Sequence, residues 1–449
     1  MLYRKISKVI EEHLNSDSKQ ILLIDGARQV GKTFIIREVG QTLFKSFIEI
    51  NLYDDSIEDN DFSNIKNVDD FYFQLGIRYG KLLEHKEECL IFIDEIQVYP
   101  RFLTLLKFLA QDGRCKIIAS GSLLGIALFE TASTPIGSIR KIQMYPMDFE
   151  EFLYANGTSC DVVNILKEKF KHLESLDDLT HNKILNLFKK YMVIGGMPQV
   201  VATYIKNNNM YTLRNIQKEI LDYYVSDAAK YDNSRKLKVT KIYELLPSYM
   251  ENKKKRIVVN KINNSKWDTF DDYDREFDYL KYSGIAIDVK SITDPKFPLL
   301  QSTTRNLIKY YLNDVGLLSA RFFSLSVKAI MEDIRSVNLG ALYETVVATE
   351  LVAHGYNLYY YDNRKKGEVD FIIDDYESLS CVPLEVKSGR DYKIHSALNN
   401  LINTREYNIK KGYVLSNNQT VEESGNIIYI PIYYIMFFTP DGDNKDIFL

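Results

Sequence analysis

An eight-residue loop near the start of the chain carries the first residues that could do chemistry. It follows the apolar run Ile21–Ile24 and reads Gly26-Ala27-Arg28-Gln29-Val30-Gly31-Lys32-Thr33, and a helical pattern begins after it. The two glycines let backbone N–H groups curl around a phosphate, and the start of the helix adds the positive end of its dipole. Lys32 is placed to reach the β- and γ-phosphates, and the Thr33 hydroxyl is placed to hold Mg²⁺. The spacing predicts a P-loop that binds ATP and Mg²⁺.

A second, acidic motif supports this prediction. Leu90–Ile93 is a continuous apolar run, typical of a buried parallel strand, and it ends in Asp94 and Glu95. Asp94 would hold Mg²⁺ through water, and Glu95 would orient or deprotonate the attacking water. A core strand that ends in solvated acids is the alternative for this motif alone. The two motifs together, in this order, favour nucleotide binding and hydrolysis.

Strand and helix patterns alternate over residues 1–150. The strand candidates are residues 20–25, 46–53, 89–94, 116–121 and 141–146. This alternation predicts an α/β fold, a P-loop NTPase core with a doubly wound parallel sheet. Ser120 or Ser122, at the end of one strand candidate, could sense the γ-phosphate, and an ordinary serine turn explains the pattern equally well.

The middle of the chain predicts two further modules and a connector. Residues 151–232 are mostly helical and contain the turn Gly195–Pro198, which indicates a helical lid over the nucleotide. Residues 233–295 suggest a winged helix, with a strand near its end that could form the wing. Its basic run, Lys253–Arg256, could contact phosphates, or it could be a solvated turn; the acidic helix Tyr273–Asp278 disfavours a major-groove role. Residues 296–337 connect this module to the last one.

Residues 338–449 contain the second candidate site. Glu385 and Lys387 are two apart in a strand pattern, so their side chains share one face, and an adjacent strand can bring Asp370 beside them. Glu344 could add a metal ligand from a preceding helix. Two carboxylates that hold a divalent metal, with Lys387 near the activated water, suit phosphodiester hydrolysis. A plain cross-strand charge pair is the alternative. The order of strands and helices favours a nuclease-like fold.

Composition limits the class of protein. The 449 residues suggest about three domains, and 45% hydrophobic and 12% aromatic residues are ample for folded cores. With a net charge of −4, any nucleic-acid site must be a local patch such as Arg364–Lys366. Four cysteines without metal spacing, no signal-peptide pattern and no apolar stretch long enough for a membrane predict a cytoplasmic protein that does not contact a membrane.

The chain resembles the prokaryotic AAA-type ATPases that carry a C-terminal domain of unknown function with a restriction-endonuclease-like core. The likeness covers nearly the whole length and rests on several motifs in a fixed order. They are the P-loop Gly26–Thr33, Ile93–Gln97, Ser120–Ser122, Tyr145–Phe152, Gly195–Pro198, Lys309–Leu317, and the pair Glu368-Val369-Asp370 and Glu385-Val386-Lys387.

The resemblance implies ATP binding, a winged helix after the ATPase core, and a C-terminal PD-(D/E)XK nuclease-like α/β domain. Where family members usually carry Gly-Arg, this chain has Ser138-Ile139-Arg140. Arg140 could stabilise γ-phosphate charge, or it could be a structural arginine at a strand start.

The expected function is Mg²⁺-dependent ATP hydrolysis coupled to a nuclease-like domain that acts on DNA or RNA. The alternative is a nucleotide-switched regulatory or adaptor ATPase whose nuclease-like domain binds without cleaving. A protein partner or a second copy of the chain is compatible with either.

Overall fold

The computed structural model describes residues 2–57, 61–83, 88–122, 124, 137–231, 236–251, 257–263, 265–323, 327–334, 337–363, 365–389 and 391–440. The chain divides into two compact units. The core unit comprises Tyr3–Tyr145 and Asp278–Ile285, and the large unit comprises Met1–Leu2, Pro146–Phe277 and Ala286–Leu449. The basic run Lys253–Arg256 and Arg364 lie outside the described residues.

The core unit is built on a parallel sheet. Its strands are β1 (Ile21–Asp25), β2 (Ser46–Asn51), β3 (Cys89–Asp94), β4 (Lys116–Gly121) and β5 (Ile139–Gln143). They lie in the order β2-β3-β4-β1-β5, and every pairing is parallel. Every residue of β1 and β3 is buried, as expected for strands covered on both faces. The predicted parallel sheet is therefore confirmed, with β5 starting two residues earlier than predicted.

Helices connect and cover these strands. They are α1 (Lys5–Asn15), α2 (Lys32–Leu43), α3 (Leu52–Ile57), α4 (Val68–Tyr79) and α5 (Arg101–Asp112). In α5, Phe102, Leu106 and Leu109 recur at helical spacing and are buried in the same apolar cluster as strands β3 and β4. Because all five strands are parallel, the ends of β1, β3 and β4 meet at one edge of the sheet, where the P-loop begins.

The large unit contains a set of helices and a second sheet. Its helices follow as α6 (Phe149–Ala155), α7 (Cys160–Lys171), α8 (Asp178–Ile194), α9 (Pro198–Lys206), α10 (Met210–Tyr231), α11 (Lys236–Glu251), α12 (Asp274–Tyr282), α13 (Val315–Phe322), α14 (Lys328–Met331), α15 (Gly340–Ala353) and α16 (Ser396–Ile402). The last part of α12, residues 278–282, belongs to the core unit. The acidic motif before α6 is a capping box, in which Asp148 and Glu151 each accept a hydrogen bond from the other's backbone N–H.

The second sheet has eight strands of mixed direction. They are β6 (Ala286–Ile292), β7 (Thr303–Leu312), β8 (Tyr359–Asn363), β9 (Gly367–Asp375), β10 (Ser380–Lys387), β11 (Gly412–Ser416), β12 (Glu422–Ser424) and β13 (Ile427–Pro431). The order is β12-β13-β11-β10-β9-β8-β6-β7. Strand β10 pairs antiparallel with β9 and parallel with β11, which puts the strand with Glu385 and Lys387 near the middle of the sheet.

The separate winged-helix module predicted for residues 233–295 is not confirmed. The predicted wing strand exists as β6, but it pairs parallel with β8 of the C-terminal domain and antiparallel with β7. The predicted connector therefore supplies a strand to the same sheet, and the predicted boundaries at 295 and 337 separate strands that are hydrogen-bonded neighbours. Strand pairing over long sequence distances leaves no periodic signal in a single strand, which explains the difference.

Three of the sequence motifs meet at one junction in the large unit. Gly196 donates its N–H to Asp314 Oδ2 at 2.6 Å, and Leu317 donates to Asp314 Oδ1 at 2.9 Å. A Cβ on Gly196 would lie 1.9 Å from the carbonyl oxygen of Met147, and one on Gly316 would lie 2.3 Å from that of Ile194. These glycines are therefore required by close backbone approach.

Candidate functional site

The P-loop joins β1 to α2 and is shaped by two glycines. Gly31 has φ 96° and caps α2, and a Cβ on Gly26 would lie 2.3 Å from the backbone oxygen of Met144. The Lys32 ammonium group donates to the carbonyl oxygens of Gly26 at 2.8 Å and Ala27 at 2.9 Å. Burial lowers the pKa of Lys32, against the opposing pull of Glu95, Asp94 and Asp25.

The other loop residues mainly shape and anchor the backbone. Ala27 and Val30 are buried, Gln29 is exposed with φ 65°, and Arg28 is half-buried near Lys32. Arg4 donates to the carbonyl oxygen of Val30 at 2.9 Å, so a residue outside the motif holds the loop. The side chains of Lys32 and Thr33 are therefore the loop's chemical groups.

Asp94 sits at the end of β3 and collects donors. The Thr33 hydroxyl donates to Asp94 Oδ2 at 2.7 Å, and the Ser120 hydroxyl and the Glu95 N–H, at 2.9 Å, donate to Oδ1. Burial raises the pKa of Asp94, while the Ser120 and Thr33 hydroxyls oppose the rise. The touching oxygens of Thr33 and Asp94 fit a hard cation such as Mg²⁺, which prefers oxygen ligands.

Glu95 follows with a left-handed backbone, φ 53° and ψ 43°. Its carboxylate oxygen Oε2 accepts from the Gln97 amide and from the Ser122 hydroxyl, the latter at 3.3 Å. Each of the two predicted serines therefore contacts one acid: Ser120 holds Asp94, and Ser122 holds Glu95. These contacts show that each serine supports one acid, and the predicted γ-phosphate sensor role of Ser120 or Ser122 stays a prediction.

Arg140 is not placed with these groups. It lies on β5 opposite Leu22, near the start of β1, whereas the loop follows Asp25 at the end of that strand. Three residues of strand separate the two positions by about 10 Å. Burial lowers the pKa of His13, and the charge of Arg140 adds to that lowering, so Arg140 acts near α1. The alternative of a structural arginine at a strand start agrees with this position better than γ-phosphate contact within this core.

A second cluster lies in the large unit, around a cavity of about 370 Å³. The carboxylates of Glu344, Asp370 and Glu385 and the Lys387 ammonium group line it. Lys387 donates to Glu385 Oε1 at 2.8 Å, and the N–H of Val386 donates to Asp370 Oδ2 at 2.9 Å. The structure thus brings the predicted residues to one side of the sheet.

Glu385 is buried at the wall of this cavity. Its side chain is 10% exposed, and no described residue donates a hydrogen bond to its Oε2. Burial raises the pKa of Glu385, Lys387 and Lys309 oppose the rise, and Glu344 adds to it. An orphaned carboxylate oxygen at a cavity wall fits a hard divalent cation. Within the described residues, however, no three His, Cys, Asp or Glu side chains already converge as ligands of one metal.

Strand β7 supplies two residues to this cluster that the sequence did not predict. Lys309 is 1% exposed and pairs with Glu368 at 2.5 Å. The Tyr311 hydroxyl donates to Glu344 Oε2 at 3.0 Å. Burial lowers the pKa of Lys309, but Glu368, Glu344 and Asp370 outweigh it and the pKa is raised. The four carboxylates of the cluster outnumber its two ammonium groups by two, which suits one divalent cation.

Family models match three stretches of the chain. A family model described as an AAA domain matches residues 18–153. The N-terminal part of the chain is therefore similar to AAA domains. Two further models, described as domains of unknown function DUF8612 and DUF4143, match residues 185–327 and 339–435. The second includes Glu344, Asp370, Glu385 and Lys387 and leaves Lys309 outside.

Two solved structures show limited similarity to the chain. The Walker-type ATPase of Pyrococcus abyssi is 13% identical with a TM-score of 0.45, covering 71% of this chain and 95% of that one. The ORC1 protein of Aeropyrum pernix in complex with DNA is 14% identical with a TM-score of 0.26, covering 74% and 91%.

Two relatives by sequence carry the description "uncharacterized protein". One, from Methanocaldococcus jannaschii, is 24% identical over 462 residues, which is 96% of this chain and 87% of that protein. The other, from Haemophilus influenzae, is 25% identical over 186 residues, 41% of each chain. They bring no activity that could be carried over to this protein.

Sequence reasoning missed Gln97, Lys309 and Tyr311 as site residues. Gln97 stands in the motif Ile93–Gln97, and its spacing of two from Glu95 was the available signal. Lys309 and Tyr311 are two apart in a strand and share one face, but nothing in the sequence ties that face to Glu368 or Glu344. As for membranes, no helix of the described residues is long and apolar enough to cross one.

Proposed function

We propose that the AAA-type domain binds ATP with Mg²⁺ and hydrolyses it. The observation that carries this proposal is the contact of Thr33 with Asp94, with Glu95 beside them at the end of β3. A loop lysine, a hydroxyl and two carboxylates at one sheet edge supply the groups that phosphoryl transfer to water needs.

The residues divide the work. Lys32 leaves the carbonyl oxygens of its own loop to donate to the β- and γ-phosphates, and the N–H groups at the start of α2 add donors. Thr33 and Asp94 would hold Mg²⁺, which supplies neutralisation of the phosphate charge. Glu95 accepts a proton from the attacking water or orients it.

Substitution of Glu95 tests hydrolysis separately from binding. Glu95→Gln keeps the size of the side chain and removes the base, so we expect ATP binding to persist while turnover falls by about 10²–10⁴-fold. The assay is phosphate release at saturating ATP with Mg²⁺, with calorimetry for binding. Turnover near the wild-type rate in this variant would assign water activation to another group.

For the large unit we infer a metal-dependent nucleic-acid site. The observation that favours it is Glu385 Oε2, buried at the cavity wall without a donor among the described residues, in a cluster with excess negative charge. Asp370 and Glu385 would hold a divalent cation, which supplies Lewis-acid polarisation of the scissile phosphate. Lys387 would stabilise charge on the attacking water or the phosphate.

Cleavage assays decide between an active nuclease and a binding platform. Single- and double-stranded DNA and RNA are incubated with the protein in Mg²⁺ and in Mn²⁺. An active nuclease predicts cleavage that Asp370→Ala abolishes and that Glu377→Ala, an exposed acid on the turn after β9, leaves unchanged. Metal-independent binding without cleavage on every substrate would favour the platform.

We propose that ATP hydrolysis controls the position or activity of the C-terminal domain on DNA or RNA. The alternative is a regulatory or adaptor ATPase that uses this domain to hold a protein partner or a second copy of the chain. Turnover with and without nucleic acid separates the two, because only the first predicts stimulation by the polymer.

A further inference from the structure

The side chain of Gln97 makes a contact with Glu95 that ATP binding does not require. Its amide nitrogen donates to Glu95 Oε2 and lies 3.4 Å from Ser122 Oγ, which in turn lies 3.3 Å from the same Oε2. One oxygen of the acid is therefore held by two donors from two elements, the 3-10 turn Ile96–Val98 and the end of β4. No described residue donates to the other oxygen, Oε1.

The backbone explains how a residue two positions later reaches Glu95. Residues in the left-handed region, where Glu95 has φ 53° and ψ 43°, reverse the chain, and the Val98 N–H closes the turn on the Glu95 carbonyl at 3.0 Å. Such a conformation is unfavourable for a residue with a Cβ and is found where surrounding contacts enforce it. The turn points Gln97 back at the carboxylate.

Gly121 leaves room for the Gln97 amide. A Cβ at position 121 would lie 2.2 Å from Gln97 Oε1. That oxygen is buried without a donor among the described residues. Reversing the amide would turn the same oxygen toward the Glu95 carboxylate, where like partial charges repel, so the orientation with N–H toward the acid is the favoured one. A buried acceptor without a donor is uncommon in native proteins and needs an explanation, and the contact of the amide N–H with Glu95 supplies one.

We propose that Gln97, together with Ser122, is a positioning residue for ATP hydrolysis. It anchors Glu95 Oε2, which leaves Oε1 to accept the hydrogen bond of the attacking water. The inference rests on the proposed hydrolytic function and adds to it the residue pair that fixes the base. It also explains why residue 121 is glycine, because a Cβ at that position would collide with the Gln97 amide.

Kinetics of three variants test the proposal. Gln97→Ala and Gln97→Glu remove the donor, the second with little loss of volume, and Ser122→Ala removes the other donor. We expect kcat to fall about 10- to 100-fold for both Gln97 variants and less for Ser122→Ala, with affinity for a non-hydrolysable ATP analogue within about threefold of wild type. Gln111→Ala, an exposed glutamine on α5, is the matched control and leaves kcat unchanged.

A double variant separates positioning from a general structural role. If Gln97 acts through Glu95, adding Gln97→Ala to Glu95→Gln lowers kcat no further than about twofold, because residues that act as a unit are not additive. A multiplicative loss in the double variant, or a loss of ATP affinity that matches the loss of kcat in Gln97→Ala, would overturn the proposal.

A readout that does not need turnover tests the contact between Gln97 and Glu95, and the turnover of wild type separates the two proposals. The side-chain amide signal of Gln97, assigned by its loss in Gln97→Ala in ¹⁵N-labelled protein, should shift in Glu95→Gln and not in Gln111→Ala. If wild type binds ATP without hydrolysing it, the hydrolytic function and this positioning role both fail even where the amide signal shifts. If wild type hydrolyses ATP but kcat in the Gln97 variants is normal, only the positioning role fails.

Discussion

Lys32 is almost fully buried and donates to two carbonyl oxygens of its own loop. A buried ammonium group that already has acceptors exchanges them for phosphate oxygens at little desolvation cost, and phosphate carries the charge that carbonyls lack. The loop is thus arranged around a buried cation, which the proposed ATP binding would use to contact the phosphates.

Removal of that cation should weaken nucleotide binding. We expect Lys32→Ala to lower affinity for a non-hydrolysable ATP analogue by tenfold or more, about 1.4 kcal/mol. Calorimetry measures the change, and Lys45→Ala, an exposed lysine after α2, is the control. Unchanged affinity in folded Lys32→Ala protein would reject the phosphate-binding role of the loop.

The carboxylate of Asp94 should lower the stability of the folded protein while it serves ATP hydrolysis. Burial raises the pKa of Asp94, so its ionised form costs free energy in the folded protein at neutral pH. We expect Asp94→Asn to abolish turnover and, without nucleotide, to raise the free energy of unfolding by up to about 2 kcal/mol.

The stability difference between Asp94→Asn and wild type should depend on pH in a defined direction. Because the folded pKa of Asp94 lies above the unfolded one, the folded state takes up the proton first as the pH falls, and the cost of ionisation disappears. The stability advantage of Asp94→Asn should therefore be largest at neutral pH and shrink on acidification through that pKa. Chemical denaturation across pH measures it; an advantage that grows in acid contradicts the assignment.

At the residue scale, the sequence predicted which side chains lie close together when they belong to one motif. It did not predict contacts between residues that are far apart in sequence or that depend on an unusual backbone conformation. The spacing of Lys32 and Thr33 is a property of one turn of chain, and Asp94 is tied to them by strand order. The contact of Gln97 with Glu95 depends on the left-handed backbone of Glu95. The ion pair of Lys309 depends on Glu368, which lies 59 residues away in sequence. The local spacing of polar and apolar residues predicts neither of these contacts.

At the scale of elements, the junction of α8, α9 and α13 should not tolerate side chains. Gly196→Ala would put a Cβ 1.9 Å from a backbone oxygen, which cannot be relieved by moving a side chain. Asp314→Ala removes the cap of α13 and the acceptor of the Gly196 N–H. We expect each to lower the free energy of unfolding by about 2–4 kcal/mol.

Thermal and chemical unfolding of the purified chain measure these losses. Gly389→Ala is the control, because nothing lies within 4 Å of a Cβ at that exposed position. Stability of Gly196→Ala equal to that of the control would mean that the loop does not approach Met147 as closely as the structure has it.

Strand β7 joins this junction to the carboxylate cluster, and Lys309 is its buried charge. We expect Lys309→Met to lower the free energy of unfolding by about 2–4 kcal/mol, because Glu368 loses its partner. Adding Glu368→Gln should restore part of the loss. Lys296→Met, at an exposed ion pair, is the control. A loss of stability that is the same with and without Glu368→Gln would show that the pair is not the cause.

Elements were predictable where one segment suffices to define them. The strands of the core unit and the order α15, β8, β9, β10, α16, β11 follow from apolar runs and helical spacing within each segment. Which strands pair with each other was not predictable. Strands β6 and β7 have ordinary strand patterns, and only the hydrogen bonds of β6 with β8 assign them to the C-terminal sheet. The Asp370 and Glu385 pairing was within reach because their strands are consecutive and antiparallel.

For the whole molecule, the two chemistries should be separable by single substitutions and coupled only through nucleotide state. In the full chain, Asp370→Ala should abolish nucleic-acid cleavage and leave basal ATP turnover within about twofold of wild type, since Asp370 and the P-loop belong to different units. Glu95→Gln should abolish ATP turnover and leave nucleic-acid cleavage in place, and it holds the protein in its ATP-bound state.

If ATP controls the C-terminal domain, cleavage or nucleic-acid affinity of Glu95→Gln must differ between saturating ATP and no nucleotide, because a ligand shifts an equilibrium only by its differential affinity for the two states. The same comparison in Lys32→Ala, which binds ATP weakly, should show no difference. Equal cleavage and equal affinity in Glu95→Gln with and without ATP would leave two independent activities on one chain, and would move the search for the ATPase's target to a protein partner.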